Sequence, residues 1–435
     1  MRRNTVLFSS TFVMSLSGNM LVFSLVYLLA DRFGLKGGAI GLFLALGYGA
    51  YMAGCTLYNR MDAAVSPGKL LPASALVMGL AALLLWGTPR PVVAALAYAL
   101  IQGTTGFFWP PLMGWFTRGL SARELNRDMG RFNQSWTTGG LLAPFTAGFL
   151  YHWSPLADFR LIQGALFLIA LILTGGYLLV PGMGRKTGAP LPAATPATSA
   201  TPAVSAPPTP SVLPGDPGTL PSPETENPAR EEKTLSAPGE RKIRRLRAAS
   251  WTGVFCAYAF LGVAGNILPL EIRDGMGYSE QTAGALLFIR GLASLGGFTL
   301  LSRLTFWHFR PRWIAGVQGL LFLLPLCFLA IPSALLPYAL LLGLFGLVFS
   351  GSYNNSLFHS SAGAASTGKM MAIHEGVLTA GVAAGSLGGG LVHQYGGFPG
   401  ALLFLTLLEA AGGIMILLIL GKMVYHPGKN KAVVG

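Results

Sequence analysis

The chain has 435 residues, of which 52% are hydrophobic and only 11% charged, and it carries a formal net charge of +14. That balance excludes a disordered chain and an ordinary water-soluble enzyme, and makes a bilayer the natural solvent. Cys55, Cys256 and Cys327 all fall within apolar runs, so no disulfide framework is expected.

Crossing about 30 Å of hydrocarbon takes roughly 20 apolar residues per helix. Twelve such stretches follow in chain order, six before a central linker and six after it. The first six lie near 5–30, 38–59, 69–88, 91–115, 132–153 and 160–181; the second six lie near 250–272, 281–302, 313–332, 335–358, 370–394 and 398–421. Ten-residue alternating segments are missing and apolar runs such as 320–330 are unbroken, so the spans are helices and not barrel strands. The first span is too long for a signal-peptide core and lacks a clean cleavage site, so it is expected to remain.

The organisation expected is an N-terminal bundle over 1–181, a disordered linker over 182–248, a C-terminal bundle over 249–421 and a tail over 422–435. The linker is rich in Pro, Ala, Thr, Ser and Gly and buries too little apolar surface to fold. It closes on the basic run 241–247, where each cation gains about 1 kcal/mol beside anionic lipid. With the amino terminus inside, 24 of the 30 Lys and Arg residues fall on the cytoplasmic side, 5 outside and one, Arg290, within a span. Without the nine in the linker the ratio is still 15 to 5, which places both termini and the linker in the cytoplasm. A bacterial inner membrane is the expected location.

The halves repeat. Gly54, Thr56, Leu57 and Arg60 recur as Gly297, Thr299, Leu300 and Arg303, and Asp31 and Gly34 recur as Asp274 and Gly277. Gly18 and Asn19 of the first span match Gly265 and Asn266 of the seventh. In the fifth and eleventh spans, Gly139, Ala143, Pro144, Ala147 and Gly148 lie over Gly381, Gly385, Ser386, Gly389 and Gly390 at nearly the same offset. Small residues at that spacing let helix backbones approach closely.

Twelve spans in two parallel halves with a long cytoplasmic linker resemble the major facilitator superfamily. The family's loop after its second helix reads G-x-x-x-D-R-x-G-R-K; Gly54 matches, Tyr58 replaces the acid, and Arg60 with Lys69 keeps the basic character. Its antiporter motif, G-x-x-x-G-P-x-x-G-G, is met by Gly139, Ala143, Pro144, Ala147 and Gly148, with two Ala for Gly. The resemblance implies an all-α fold of two pseudo-symmetric six-helix bundles and leaves export and plain close packing open for that motif. It also implies that spans 1, 4, 7 and 10 line a central cavity, flanked by 2, 5, 8 and 11.

Polar side chains are expensive in a bilayer, so those retained on the cavity spans are candidates for solute binding. They are Asn19, Asn266, the set Gln102, Thr105 and Trp109 at i, i+3, i+7, and the set Ser350, Tyr353 and Asn354 at i, i+3, i+4. Arg290 on span 8 is expected to bind an anionic part of the solute or to pair with Glu375. Glu375 on span 11, where the other half has Asn133, is the expected proton-coupling group with His374 beside it, since a carboxyl group in low dielectric can load and release a proton near neutral pH. Gly54, Gly139, Pro144, Gly148, Gly297, Gly385 and Gly389, with Arg60 and Arg303, are expected to serve gating and packing. Glu409 on span 12 is expected to be structural.

Phosphate loops, paired catalytic carboxylates, nucleophile constellations and metal-ligand spacings do not appear, so neither an enzyme nor an ATP-driven pump is expected, and no cofactor or nucleic acid. The reading is a monomeric secondary transporter of a small polar or amphipathic organic solute, coupled to protons or another ion, with export favoured. The rival is a transporter-like sensor or assembly partner without sustained flux.

Overall fold

The computed structural model describes residues 3–61, 66–117, 122–179, 236–362 and 367–424. They form helices α1 (Arg3–Phe33), α2 (Gly37–Met61), α3 (Pro67–Gly87), α4 (Pro91–Thr105), α5 (Trp109–Thr117), α6 (Ala122–Trp153) and α7 (Pro155–Leu179) in the first half. The second half holds α8 (Ser236–Asn266), α9 (Glu280–Arg303), α10 (Pro311–Ala330), α11 (Leu335–Ser361) and α12 (Thr367–Val424). A short turn, Leu268–Leu270, and a π-helical turn, Glu271–Gly275, link α8 to α9.

Ten stretches among the described residues are long and apolar enough to cross a membrane. The expected fifth span is α6, whose first turns carry Arg123, Glu124, Arg127 and Asp128. The eleventh and twelfth spans are the two arms of α12, broken at Gly397 (φ 61°, ψ −163°). Only glycine adopts that backbone region readily. Gly397→Ala is expected to lower stability by about 1–3 kcal/mol, read as an earlier melt of the purified chain.

The expected linker reaches less far than its composition indicates. Residues 180–235 lie outside the described set, but from Ser236 the chain is already helical, so the basic run 241–247 extends α8 rather than a tether. Inside this extension Leu246 is buried against Ile314 and Ile416, and Arg247 donates to the carbonyl oxygens of His359 (2.7 Å) and Ala362 (2.8 Å). Apolar and carbonyl partners together hold the extension to the bundle.

The repeat is visible in packing. A Cβ added at Gly139 would collide with the Phe12 carbonyl oxygen of α1, and one added at Gly381 with the Phe255 carbonyl oxygen of α8. Phe255 follows Phe12 by the same 243 positions that separate Gly297 from Gly54. Gly34 (φ 63°) and Gly277 (φ 75°) end their helices in matching left-handed caps: Gly34 N–H donates to the Ala30 carbonyl and Leu35 N–H to that of Leu29, as Gly277 does to Arg273 and Tyr278 to Ile272. Thus α1 packs on α6 as α8 packs on the first arm of α12. Between halves, α6 lies against α9 and α12 lies against α2.

Candidate functional site

At one end of the molecule, termed the rim, the halves meet backbone to backbone. Gly148 of α6 abuts the Glu280 carbonyl and Gly284 of α9, and Gly284 faces the Pro144 carbonyl so closely that no side chain fits. The second seam is its counterpart: Gly390 of α12 abuts the Gly37 carbonyl and Gly41 of α2, and Gly41 faces the Ser386 carbonyl. Gly284 and Gly41 are 243 positions apart, so a pseudo-two-fold axis relates the seams. Close backbone approach of this kind is what small residues in membrane helices permit.

Polar groups reinforce the seams. Arg273 pairs with Asp31 across the halves at 2.9 Å and with Asp274 at 2.7 Å, and its guanidinium sits 4.8 Å from the Tyr27 ring centroid. His152 lies 3.0 Å from Glu280, Tyr27 donates its hydroxyl to the Pro269 carbonyl, and the Tyr151 hydroxyl donates to Asp31. The charged rim residues Asp31, Arg273 and Asp274 therefore join the halves.

Toward the opposite, basic end the helices part. A cavity of about 560 Å³ is lined by Phe8, Ser9, Phe12 and Val13 of α1 and by Arg131, Gln134, Ser135 and Thr138 of α6. Between it and the seams, aromatic rings form a contiguous wall. Trp136 of α6 approaches Tyr353 of α11 (6.4 Å between centroids), and Tyr353 contacts Phe298 (5.5 Å), His374 (5.5 Å) and Tyr258 (6.4 Å).

Arg290 and Glu375 flank that wall. Tyr258 is within electrostatic range of both. Glu375 is also within range of Tyr51 and Cys55 of α2 and of Tyr353. The carboxylate is exposed, while His374, one residue earlier on the helix, is buried and shares a 2.8 Å hydrogen bond with the Ser356 hydroxyl. Adjacent helical positions point about 100° apart, so His374 holds α12 to α11 and Glu375 faces the opening. Arg290 and Glu375 form no ion pair, and the Arg290 guanidinium has neither a hydrogen bond nor an ion pair among the described residues, its Nε being sealed from solvent. A helix-borne cation without a counter-charge is costly in a membrane.

Several expected solute contacts are engaged in packing instead. Gln102, Thr105 and Trp109 share no continuous helical face, because the helix breaks into turns at 106–108 between α4 and α5. There Gly106 presses on the backbone of Tyr51 and Cys55. Gln102 donates to the Tyr98 hydroxyl (3.1 Å), Thr105 points to α3 and donates to the Ile101 carbonyl (2.8 Å), and Trp109 meets Phe108 and Phe132 edge-on. Asn266 is buried, donating to Ser386 at 2.6 Å and lying within hydrogen-bonding reach of Tyr48 across the halves. Ser350 is buried beneath Gly297 and donates to the Leu347 carbonyl. Asn19 is exposed on α1, its amide donating to the Ser15 carbonyl (2.8 Å), and Asn354 is partly exposed on α11. The side chain of Asn133 lies outside the described residues.

The packing glycines have assignable neighbours. Gly54 faces the Gly103 carbonyl, Gly385 the Ala259 carbonyl and Gly389 the Val263 side chain, while Arg60 and Arg303 are exposed at the basic end. Glu409 is fully buried and accepts from Gln318 at 2.7 Å. Trp136, Tyr258 and Tyr51 are absent from the expected set. Their signal was a mid-span aromatic carrying a polar atom that needs a partner, and it is diluted by the many aromatics that only fill space.

Two helical halves that meet backbone to backbone at one end, with an open cavity beside α1 and α6 away from those seams, define a transporter-type fold. The pattern that defines the Major Facilitator Superfamily matches residues 7–367, and the chain belongs to that family. Its fold is similar to that of the peptide transporter POT in complex with sulfate (TM-score 0.68, 14% identity, 97% of this chain and 94% of that chain covered). It is also similar to a mutant of the nucleoside transporter NupG (TM-score 0.63, 12% identity, 96% and 100% covered). No curated protein matches the sequence. Family and fold support a membrane transporter that carries a small molecule, and not an enzyme.

Proposed function

We propose that this transporter moves a planar organic anion by alternating access and couples the movement to protons through Glu375. The carrying observation is the unpartnered Arg290 guanidinium within electrostatic range of Tyr258, whose ring meets that of Tyr353. An anionic group on the solute supplies the missing counter-charge, and a flat apolar body lies against the aromatic wall. Neutral polar solutes leave the guanidinium unpaired, so they bind less well.

Glu375 and Arg290 both lie within electrostatic range of Tyr258, so a solute held against that ring feels the charge on each. Protonation of Glu375 removes a negative charge from the cavity and favours the anion, and a bound anion favours the proton. This reciprocity supports movement of proton and anion together. The antiporter-like motif gives no direction, because Gly139 and Gly148 each abut a neighbouring backbone. The excess of Lys and Arg at the open end supports a cytoplasmic opening and cytoplasmic termini in a plasma membrane.

Glu375→Gln tests the coupling. In proteoliposomes the variant is expected to keep solute exchange down a concentration gradient while an imposed pH gradient no longer drives accumulation. Accumulation at the unsubstituted rate would overturn the role of Glu375 and leave that of Arg290 standing.

A further inference from the structure

A second polar centre lies inside the C-terminal half, apart from the central cavity. A space of about 10 Å³ sits between α8, α10 and α11, bounded by Ser250, Gly253, Ile314, Val317, Gln318, Ser352 and Asn355. That volume holds one particle about the size of a water molecule.

The groups that border it include two amide side chains and two serine hydroxyls. Gln318 is 3% exposed, and its Nε2 donates to the Glu409 carboxylate (2.7 Å) and to the Glu409 backbone carbonyl (3.1 Å). These two bonds fix the amide orientation chemically, since the nitrogen must face the carboxylate. Gln318 Oε1 is therefore turned away from Glu409, and it has no hydrogen-bond partner among the described residues. Asn355, 2% exposed, leaves its Oδ1 equally unpartnered. A Cβ built on Gly253 would lie 3.6 Å from Gln318 Oε1 and 3.6 Å from Ser352 Oγ, so both oxygens converge on the glycine.

Two orphaned carbonyl oxygens in a bilayer-embedded bundle are costly unless something positive or hydrogen-donating lies between them. Charge decides which. Glu409 is fully buried and its Oε1 has no partner among the described residues, and a small cation one amide away would balance its ionised form, which burial alone disfavours. Among the described residues no basic side chain lines the space. Oxygen-only ligands suit a hard cation, and the volume admits only a small one.

We propose that the cavity beside Gly253 is a binding site for a single monovalent cation of sodium's size, held by Gln318 Oε1, Asn355 Oδ1 and Ser352 Oγ and balanced by Glu409. The site is independent of Arg290 and Glu375.

The full chain in detergent is melted in sodium chloride and in choline chloride at equal ionic strength. A cation bound only by the folded state raises the melting temperature, and the rise grows with the logarithm of sodium concentration above saturation. Gly253→Ala places a methyl group in ordinary contact with its neighbours, including Ile416 Cδ1 at 3.7 Å, and fills the space. It is expected to melt in choline at the unsubstituted temperature and to lose the sodium response. Glu409→Gln keeps the shape and is expected to raise the half-saturating sodium concentration at least tenfold. Identical melting of the unsubstituted chain in both salts would overturn the proposal and make water the guest. So would a sodium response that survives in both variants.

Discussion

Arg290→Gln is expected to weaken binding of planar anions by about 2–5 kcal/mol, roughly 30- to 4,000-fold, the range seen when one member of a buried charged pair is truncated. Naphthoate and naphthalenesulfonate, compared with a neutral naphthyl alcohol, are suitable probes, since their rings match the wall around Tyr353 and only their charge differs. Affinity for the neutral probe is expected to stay unchanged. The same variant is expected to melt no earlier than the unsubstituted chain without ligand, because it removes a cation that has no partner among the described residues. A structural arginine behaves in the opposite way, and an early melt with anion affinity retained would remove Arg290 from the site. Arg290→Lys restores the charge without the planar fork and is expected to recover part of the affinity.

Gly284→Leu is expected to reverse the resting conformation. Gly284 lies against the Pro144 carbonyl and the Phe145 backbone, so the added side chain meets main chain and the helices must separate. Overpacking of this order costs about 1–3 kcal/mol, which shifts a two-state equilibrium roughly 5- to 150-fold away from the state closed at the rim. Gly41→Leu, at the symmetry-related seam against the Ser386 carbonyl, is expected to do the same. Ser386→Cys, buried in this state, reports the change in a background without native cysteines. Labelling by an impermeant maleimide should accelerate at least fivefold when either glycine is substituted. Labelling that is no faster would mean the seams do not govern the equilibrium.

The seams also explain how much could be read from sequence. Gly54 with Gly297 and Gly139 with Gly381 announced the duplication, since close helix packing at these positions tolerates only small residues and leaves a fixed spacing. The helical turns at 106–108 were hidden, because hydropathy continues without interruption across Gly106, Phe107 and Phe108. Polarity alone names candidates without giving their partners. Asn266 and Ser350 read as solute contacts; Asn266 donates to Ser386 of a neighbouring helix and Ser350 to the Leu347 carbonyl of its own, the first being a common use of a polar group in a bilayer. The charged residues carry a sharper signal, since unpaired charge in a span has few structural uses. Arg290 and Glu375 sit on the flanking helices where the repeat is broken, opposite Gly47 and Asn133. Periodicity could not supply the third element, the wall of Trp136, Tyr258 and Tyr353, because its members come from three helices.

Transport itself is tested most directly by flux. Naphthalenesulfonate carries a permanent charge that keeps it from crossing lipid unaided, so its entry into proteoliposomes reports the protein. With an acidic exterior, the purified chain is expected to accumulate the probe against its own gradient, and a protonophore is expected to abolish that accumulation. Binding of the probe with no flux under either condition would contradict the account and mark the chain as a sensor built on a transporter fold.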